Sequence, residues 1–278
     1  MDIVCVGDCG IDHYLPSGDR YFGGITANFA RHAQHEFPAG DAIRIVSCVG
    51  DDEGADLVLS SLVDSGIDCH ISRLNGNTPV QCIETKPDGE KDFVRYDEGV
   101  LGDFQFTDKQ RQIIAASNLL VAPVFLQIVG LFDELMSINT EGSVAIDFAD
   151  FLQYPDFDLL EKHIGQVDIG FFGLTSKDQE TIEQVRLLAE KHSKLFVVTL
   201  GADGSRTYHG AENFACDAIP VDEVVDTTGA GDAFAAGFLS RYCHDNNIPG
   251  AMQRGAVLAA QIVGQVGSHY IEHQIKGV

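Results

Sequence analysis

Asp226-Thr227-Thr228-Gly229-Ala230-Gly231-Asp232-Ala233-Phe234 is the stretch that decides the fold of this chain of 278 residues. It follows the extended-looking Glu223-Val224-Val225 and leads into residues with helical spacing, so small residues stand where a loop becomes a helix. The first N–H groups of a helix have no partner within it, and the helix dipole favours an anion there. Glycine lets such a backbone approach a ligand closely. The pattern predicts an anion site at 229–231.

Asp232 places a carboxylate beside this anion site. A carboxylate and a bound anion repel each other, so a carboxylate at this position indicates a chemical role. Taking a proton from a hydroxyl that attacks a phosphoryl group is a task that suits the position. The alternative is a glycine-rich tight turn that starts a helix and binds nothing.

Residues 226–239 resemble the C-terminal signature of the ribokinase-like (pfkB) family of carbohydrate and nucleoside kinases. The resemblance implies an ATP-dependent kinase in which Asp232 is the base on the acceptor hydroxyl. It also implies that the backbone N–H groups of Gly229, Ala230 and Gly231 form an anion hole for the transferred phosphoryl group.

Strand and helix patterns alternate along most of the chain. Predicted strands span 3–7, 43–49, 68–72, 118–122, 143–148, 167–172 and 195–200, with a hairpin across 206–215. Predicted helices end near 36 and 64 and span 107–116, 126–138, 156–163, 177–192, 231–243 and 249–265. Such alternation predicts an α/β three-layer sandwich with a mostly parallel sheet, here of ribokinase-like type. Ligands bind at the carboxyl ends of such strands, and the motif at 226–232 is expected to follow a strand.

Two insertions, at about 9–22 and 78–97, interrupt the alternation. The second has the pattern of a hairpin around Pro87-Asp88-Gly89. We expect both to supply the strands of a small β lid inserted in a single domain of residues 1–278. A lid excludes water, which competes with the acceptor in a kinase. Exposed lid strands also suggest a homodimer.

The acceptor side is predicted from polar residues near the first strand. Asp8 and Asp12 can accept hydrogen bonds from sugar hydroxyls, although Asp12 is equally a residue type found in turns. Gly23-Gly24 permits close approach of a ligand, and Asn28 offers an amide. Gly-Gly-x-x-x-Asn resembles the family's N-terminal signature, which implies that these residues contact the sugar. Ile25-Thr26 stands where the family often has a small residue.

Three segments, 7–14, 95–100 and 145–150, resemble the fructosamine kinases that act on fructoselysine. Those enzymes phosphorylate the 6-hydroxyl of a fructose joined through nitrogen to an amino acid, so the implied acceptor is an aminated sugar. Gln81 and Arg95 are candidate substrate contacts from the lid, and Arg95 is equally well explained as a solvated strand residue.

The nucleotide side is predicted after the strand at 195–200. The resemblance implies that Thr199, Gly201 and Gly204 lie along the ATP phosphates and ribose, together with Thr228 and Gly229. The chain has no Gly-x-x-x-x-Gly-Lys-[Ser/Thr] and is not a P-loop enzyme.

The metal site departs from the family pattern. The family commonly has Asn-x-x-Glu where this chain has the segment 173–180, and no Asn leads it. Asp178 and Glu180 are candidates to orient Mg²⁺-bound waters, and both are also residue types that cap helices. Asp226 and Thr228 match positions that hold a monovalent cation such as K⁺ in some relatives.

Composition limits the remaining possibilities. A net charge of −24 argues against nucleic acid as a partner, because phosphates are bound by Lys and Arg. Positive potential for ATP must then come from helix N-termini, N–H groups and Mg²⁺. No apolar run approaches 18 residues and the N-terminus lacks the features of a signal peptide, so neither a membrane nor export is expected. Seven scattered cysteines without Cys-x-x-Cys suit a reducing cytoplasm.

Three other functions remain open at this point. A ribokinase, fructokinase or nucleoside kinase would use the same chemistry on another acceptor. A non-catalytic sugar or nucleotide sensor would explain the altered segment at 173–180 but not Asp232. A purely structural α/β protein would leave the clustered loop motifs unexplained.

Overall fold

The computed structural model describes residues 1–63, 65–85, 91–265 and 267–268. The strands are β1 Asp2–Val6, β2 Gly10–Tyr14, β3 Asp19–Gly23, β4 Ala42–Val49, β5 Asp68–Arg73, β6 Val80–Thr85, β7 Lys91–Asp97, β8 Leu119–Val124, β9 Ser143–Phe148, β10 Ile169–Gly173, β11 Leu195–Thr199, β12 Ser205–His209 and β13 Glu212–Cys216. The α-helices are α1 Ile25–Glu36, α2 Glu53–Leu62, α3 Asp108–Ala115, α4 Val129–Met136, α5 Phe157–His163, α6 Gln179–His192, α7 Ala230–Asp245 and α8 Ile248–Ile262.

The main sheet has the strand order β13-β12-β11-β10-β9-β8-β1-β4-β5. Every pair from β11 to β5 is parallel, and the hairpin β12–β13 adds two antiparallel strands at one edge. Parallel neighbours need crossover connections, and the helices between the strands provide them. The predicted mostly parallel α/β sheet is confirmed.

Alternate residues of the central strands enter two separate apolar cores. In β1, Ile3 and Cys5 pack on the side of α1, α2, α7 and α8, whereas Val4 and Val6 pack on the side of α3 to α6. Side chains alternate across a strand, so a sheet covered on both faces is apolar at every position. These two cores give the predicted three layers.

A second, four-stranded sheet in the order β3-β2-β6-β7 forms the predicted lid. β2 runs parallel to β6, and the other two pairs are antiparallel. The predicted turn Pro87-Asp88-Gly89 lies outside the described residues. Asp12 pairs with Gln81, and Gln81 pairs with Tyr96, so these three side chains share one lid face.

The stretch before the Asp226 motif is not a strand, contrary to the sequence prediction. The N–H groups of Val225 and Asp226 donate to the carbonyl of Val263, just after α8, at 2.8 and 3.2 Å. Val225 and Asp226 therefore run along the end of a helix and not along the sheet. The predicted helix at 126–138 also divides, because 126–128 form a 3-10 turn before α4.

Across the ranges that the structure covers, no helix combines the length and apolar character needed to cross a bilayer.

Candidate active site

Asp232 lies in the first turn of α7 and is 8% exposed. Burial raises the pKa of its carboxyl group well above the usual range, and the charges of Asp147, Asp8 and Asp12 add to the rise. A hydrogen bond from Asn28 opposes it. A carboxyl group with a raised pKa, at the end of a helix that favours anions, has the properties of a general base.

The turn before Asp232 presents free backbone donors. Within the described part of the chain, the N–H groups of Gly229, Gly231 and Asp232 have no acceptor. The N–H of Ala230 donates to the carbonyl of Thr227 at 3.2 Å, which makes it a turn donor. The sequence predicts an anion hole made by the N–H groups of Gly229, Ala230 and Gly231. In the structure the N–H of Asp232 is available in place of that of Ala230.

Gly229 must be glycine for two independent reasons. Its φ of 78° is in the left-handed region. A Cβ there would also lie 2.5 Å from the Cβ of Ser268. A Cβ on Gly231, in contrast, would meet no atom within 4 Å, so the backbone at Gly231 borders open space. The anion site is thus closed beneath Gly229 and open at Gly231.

Asn28 holds the carboxylate of Asp232, a role that differs from the predicted sugar contact. Its Nδ2 donates to Oδ2 of Asp232 at 2.9 Å, and its Oδ1 accepts the hydroxyl of Ser268 at 2.7 Å. Asn28 is 4% exposed. Both ends of the amide are used within the protein, so Asn28 fixes the orientation of Asp232.

Asp8 caps helix α1, although we had predicted a sugar contact. Its two carboxylate oxygens accept the N–H groups of Ile25 and Thr26, each at 3.1 Å. Gly24 has a φ of 101°, and a Cβ there would lie 2.8 Å from the carbonyl oxygen of Asp8. Gly24 therefore makes room for Asp8 and the start of α1, and not directly for a ligand.

Asp12 is the carboxylate left available on the acceptor side. It is 5% exposed and accepts no hydrogen bond from the described residues. A Cβ on Gly23 would lie 2.3 Å from its Cγ, so the absent side chain of Gly23 is what accommodates it. Burial, with the charges of Asp8 and Asp226, raises the pKa of Asp12 to about 8. A ligand that brings hydrogen-bond donors or positive charge would offset the free-energy cost of ionising this buried carboxyl group.

The lid face that carries Asp12 also carries Gln81 and Tyr96. Nε2 of Gln81 donates to the carbonyls of Cys82 and Arg95, both at 3.0 Å. The ring of Tyr96 meets Phe125 edge-on at 5.0 Å between centroids.

Arg95 is not on this face. It pairs with Cys82, one position out of phase with the pair Gln81–Tyr96, and its Nη2 lies 3.6 Å from Sγ of Cys82. Because one residue of register changes the face of a strand, the structure places Arg95 away from the other predicted substrate contacts.

Asp147 is a site residue that we did not predict. It is the last residue but one of β9 and lines a small cavity together with Asp232, Thr26 and Phe171. Burial, reinforced by the charge of Asp8, raises the pKa of Asp147 to about 7. Its carboxylate accepts no hydrogen bond from the residues that the structure describes.

Of the predicted nucleotide residues, Gly201 and Gly204 lie in the turn between β11 and β12. Gly201 and Gly204 have φ values of 58° and 83°, and a Cβ on Gly204 would lie 2.2 Å from the carbonyl oxygen of Cys216. The N–H of Leu200 donates to the carbonyl of Gly204 at 2.8 Å and closes the turn. Thr199 is the last residue of β11, half-buried at the carboxyl edge of the sheet.

Asp178 and Glu180 are not part of the carboxylate group around Asp232. The Oδ2 of Asp178 accepts both the N–H and the hydroxyl of Thr175, at 2.9 and 2.5 Å. Glu180 is exposed in the first turn of α6. Asp178 stands at the N-cap of α6, but its side chain accepts from Thr175 and from no N–H of that helix. Asp147, which has no such local partner, fits a cation better.

Asp226 is fully buried and surrounded by hydrogen-bond donors. The hydroxyl of Tyr14 and the N–H of Gly267 donate to its Oδ2 at 2.7 and 3.0 Å, and the N–H of Thr228 donates to its Oδ1 at 2.9 Å. A cation needs oxygen lone pairs, so this set of donors does not fit the expected monovalent ion.

The geometry resembles a phosphotransferase site, and comparison with known proteins agrees. The family model described as pfkB family carbohydrate kinase matches residues 2–137 and 170–274. The chain belongs to this family. Fructoselysine 6-kinase from Shigella flexneri is 27% identical over 268 residues, which cover 96% of this chain and 98% of that protein. Fructosamine kinase FrlD from Bacillus subtilis is 26% identical over 96% of this chain and 93% of its own length.

Solved structures of pfkB-like kinases show the same fold. An adenosine kinase from Sinorhizobium meliloti superimposes with a TM-score of 0.84 at 21% identity, covering 97% of this chain and 96% of that one. Arabidopsis thaliana ribokinase, complexed with ribose and ATP, gives 0.77 at 20% identity and covers 96% and 93%. The ribokinase-like fold of this pfkB kinase is thereby confirmed.

Two of the missed residues had a visible signal in the sequence. Asp147 lies near the carboxyl end of a predicted strand, at the sheet edge where ligands bind, and Tyr14 lies two residues after Asp12 on the same strand face. Ser268 had none, because it lies beyond the last predicted helix and its hydrogen bond to Asn28 spans 240 residues.

Proposed function

We propose that this pfkB kinase transfers the γ-phosphoryl group of ATP to the 6-hydroxyl of a fructosamine such as fructoselysine. The observation that carries the proposal is the pairing of Asp232 with the free N–H groups at the start of α7. The carboxylate takes the proton of the attacking hydroxyl, and the amides stabilise charge on the phosphoryl group.

Asn28 supports this chemistry by orienting the base. Its hydrogen bond fixes one carboxylate oxygen of Asp232, so the other oxygen is directed at the acceptor. The lid above Asp12 excludes water, which would otherwise be phosphorylated in place of the sugar.

The acceptor is inferred from charge and similarity together. The charge of Asp8 adds to the raised pKa values of Asp12, Asp147 and Asp232, and none of these four carboxylates forms an ion pair with the described residues. A protonated amine on the acceptor brings the positive charge that this group lacks. The similarity to fructoselysine 6-kinases extends over nearly the whole chain, which supports the same class of acceptor.

Mg²⁺ bound with ATP would neutralise charge on the transferred phosphoryl group. Asp147 is the residue whose chemistry fits it, because its half-buried carboxylate accepts no hydrogen bond from the described residues and its pKa is raised. We expect Asp147→Asn to raise the Mg²⁺ concentration needed for half-maximal rate. Asp178→Asn is the matched control, since that carboxylate is bound to Thr175.

The experiment that tests the function is a panel of acceptors with ADP release as the signal. Fructoselysine is expected to give the highest kcat/KM, ahead of fructose, ribose and adenosine, with the phosphate on O6 by NMR. Asp232→Asn is expected to melt like the wild type but lose at least about 100-fold in rate. Binding of ATP and sugar without ADP release would instead indicate a sensor, and turnover of Asp232→Asn near the wild-type rate would remove the base from Asp232.

We also propose a homodimer through the lid and a reducing cytoplasmic location. Phe93 and Val94 are 56% and 44% exposed on β7, an edge strand of the lid. Edge strands with exposed apolar residues tend to pair with another chain. Light scattering of the wild type and Phe93→Glu tests the dimer. All seven cysteines are free thiols, which suits the location.

A further inference from the structure

Tyr14 connects the lid to the loop that precedes the anion site. It is the last residue of lid strand β2 and is 5% exposed. Its hydroxyl donates to Oδ2 of Asp226 at 2.7 Å and lies 3.2 Å from Oγ1 of Thr228. Tyr14 and Asp226 are 212 residues apart in sequence. Because Asp226 is only three residues before Gly229, their contact joins the lid to the turn that precedes α7.

The carboxylate of Asp226 is stabilised as an anion by hydrogen bonds. Burial alone would raise its pKa, but hydrogen bonds from Tyr14, Gly267 and Thr228 outweigh burial and hold the pKa below the usual range. Three donors thus direct hydrogens at one carboxylate. Hydrogen bonds of this charge-assisted kind are among the strongest in proteins.

A monovalent cation at the same place would meet the wrong partners. It would need several oxygen lone pairs around it, whereas the N–H groups of Thr228 and Gly267 and the hydroxyl of Tyr14 present positive ends of dipoles. The hydroxyl of Thr228 already lies within hydrogen-bond distance of Tyr14. The donor set therefore fills the role that an ion would have, which is to compensate the buried charge.

We infer that the Tyr14 hydroxyl takes the place of a monovalent cation at Asp226, so that this kinase needs no K⁺ and its lid is tied directly to the phosphate-binding turn. Tyr14 is a positioning residue in this scheme. It acts through its contacts with Asp226 and Thr228 on the backbone of Gly229. The inference depends on the proposed kinase activity for its rate measurement only, because stability can be measured without any acceptor.

The test compares the wild type with Tyr14→Phe in chloride salts of K⁺, Na⁺ and choline at one ionic strength. We expect the wild type to show the same melting temperature and the same rate of ADP release in all three salts. Tyr14→Phe leaves Asp226 one donor short, so in choline it should melt lower and turn over about tenfold more slowly. K⁺ should restore both quantities with a saturable dependence on its concentration.

Tyr21→Phe is the matched control for the melting measurement. Tyr21 lies on the neighbouring strand β3 with its ring 5.4 Å from that of Tyr14, and no hydrogen bond joins it to Asp226. Removal of its hydroxyl should leave the melting temperature independent of the salt.

Either of two results would overturn the inference. One is a saturable rise in the melting temperature of the wild type with K⁺, which would mean that the ion binds despite Tyr14. The other is a Tyr14→Phe protein whose melting temperature and rate are the same in K⁺ and choline. If no acceptor is turned over, the proposed function fails while the melting data still decide the role of Tyr14. If Tyr14→Phe does not fold, the wild-type salt series decides alone.

Discussion

Replacement of Asn28 by Ala tests whether this residue holds the catalytic base or contacts the sugar. The side chain donates to Asp232 at 2.9 Å, in a buried setting. A hydrogen bond to a charged group contributes about 1.5–3 kcal/mol. Because about 1.4 kcal/mol corresponds to a tenfold change in an equilibrium constant, loss of this bond is expected to shift Asp232 toward its protonated form and to raise its pKa further.

The sign follows from which form the hydrogen bond stabilises. The amide of Asn28 favours the charged carboxylate, so its removal favours the protonated form, which cannot accept a proton. The acidic limb of the pH profile of kcat/KM should move to higher pH. Below both pKa values the rate of Asn28→Ala should fall about 10- to 100-fold, and it should approach the wild-type rate as the pH rises.

The assay is ADP release at subsaturating acceptor from pH 5 to 9, with melting curves to verify folding. Gln34→Ala is the matched control, because Gln34 is on the same helix but lies beside Gly66, away from the site. It should leave the profile unchanged. A uniform loss of rate at every pH, with the acidic limb in its wild-type place, would refute the reasoning and return Asn28 to the role of a sugar contact.

Three further predictions concern stability. Asp147→Asn should melt about 2–4 °C higher than the wild type at pH 8 without ligands, and the difference should be smaller at pH 5. The folded pKa of about 7 lies above the ordinary 3.8, so the cost of burying this group is fully present above the folded pKa, shrinks as the pH falls below it, and is lost only below the ordinary value. A gap that is the same at both pH values would contradict burial of that charge. Gly229→Ala should lower the melting temperature by several degrees because its Cβ would overlap Ser268, whereas Gly231→Ala should change it by no more than about 1 °C; equal effects would show that the turn relaxes freely. Asp8→Ala removes the acceptor for two N–H groups at the start of α1, so it should lower the free energy of unfolding by about 1 kcal/mol, measured by urea unfolding. An unchanged free energy of unfolding would show that water replaces the carboxylate as acceptor.

The sheet, the helices and the lid could be predicted because each depends on local pattern. Alternation of strands and helices fixes a parallel sheet, and the insertions at 9–22 and 78–97 stand out against it. The motif at Asp226 was recognisable for the same reason. The exception is the stretch at Val224–Val225, where β-branched residues predicted a strand but the backbone bonds to the end of α8.

The contacts inside the site could not be predicted, because they depend on partners far away in sequence. Asn28 finds Asp232 across 204 residues, and no local pattern separates an amide that holds a carboxylate from one that binds a sugar. The lid shows a similar limit. The register between β6 and β7 shifts between Cys82 and Ile83, so the sequence alone did not determine whether Arg95 or Tyr96 shares the face of Asp12.

The close fit between Gly23 and Asp12 has a consequence for how the two positions can change over evolutionary time. With a Cβ at position 23 lying 2.3 Å from the carboxyl carbon, a methyl group and the acid cannot both occupy that volume. Homologous chains that retain the acid on this lid strand should therefore retain glycine opposite it. Chains with a larger residue in place of this glycine should have replaced the acid as well. The two columns of a deep alignment should accordingly co-vary as a pair.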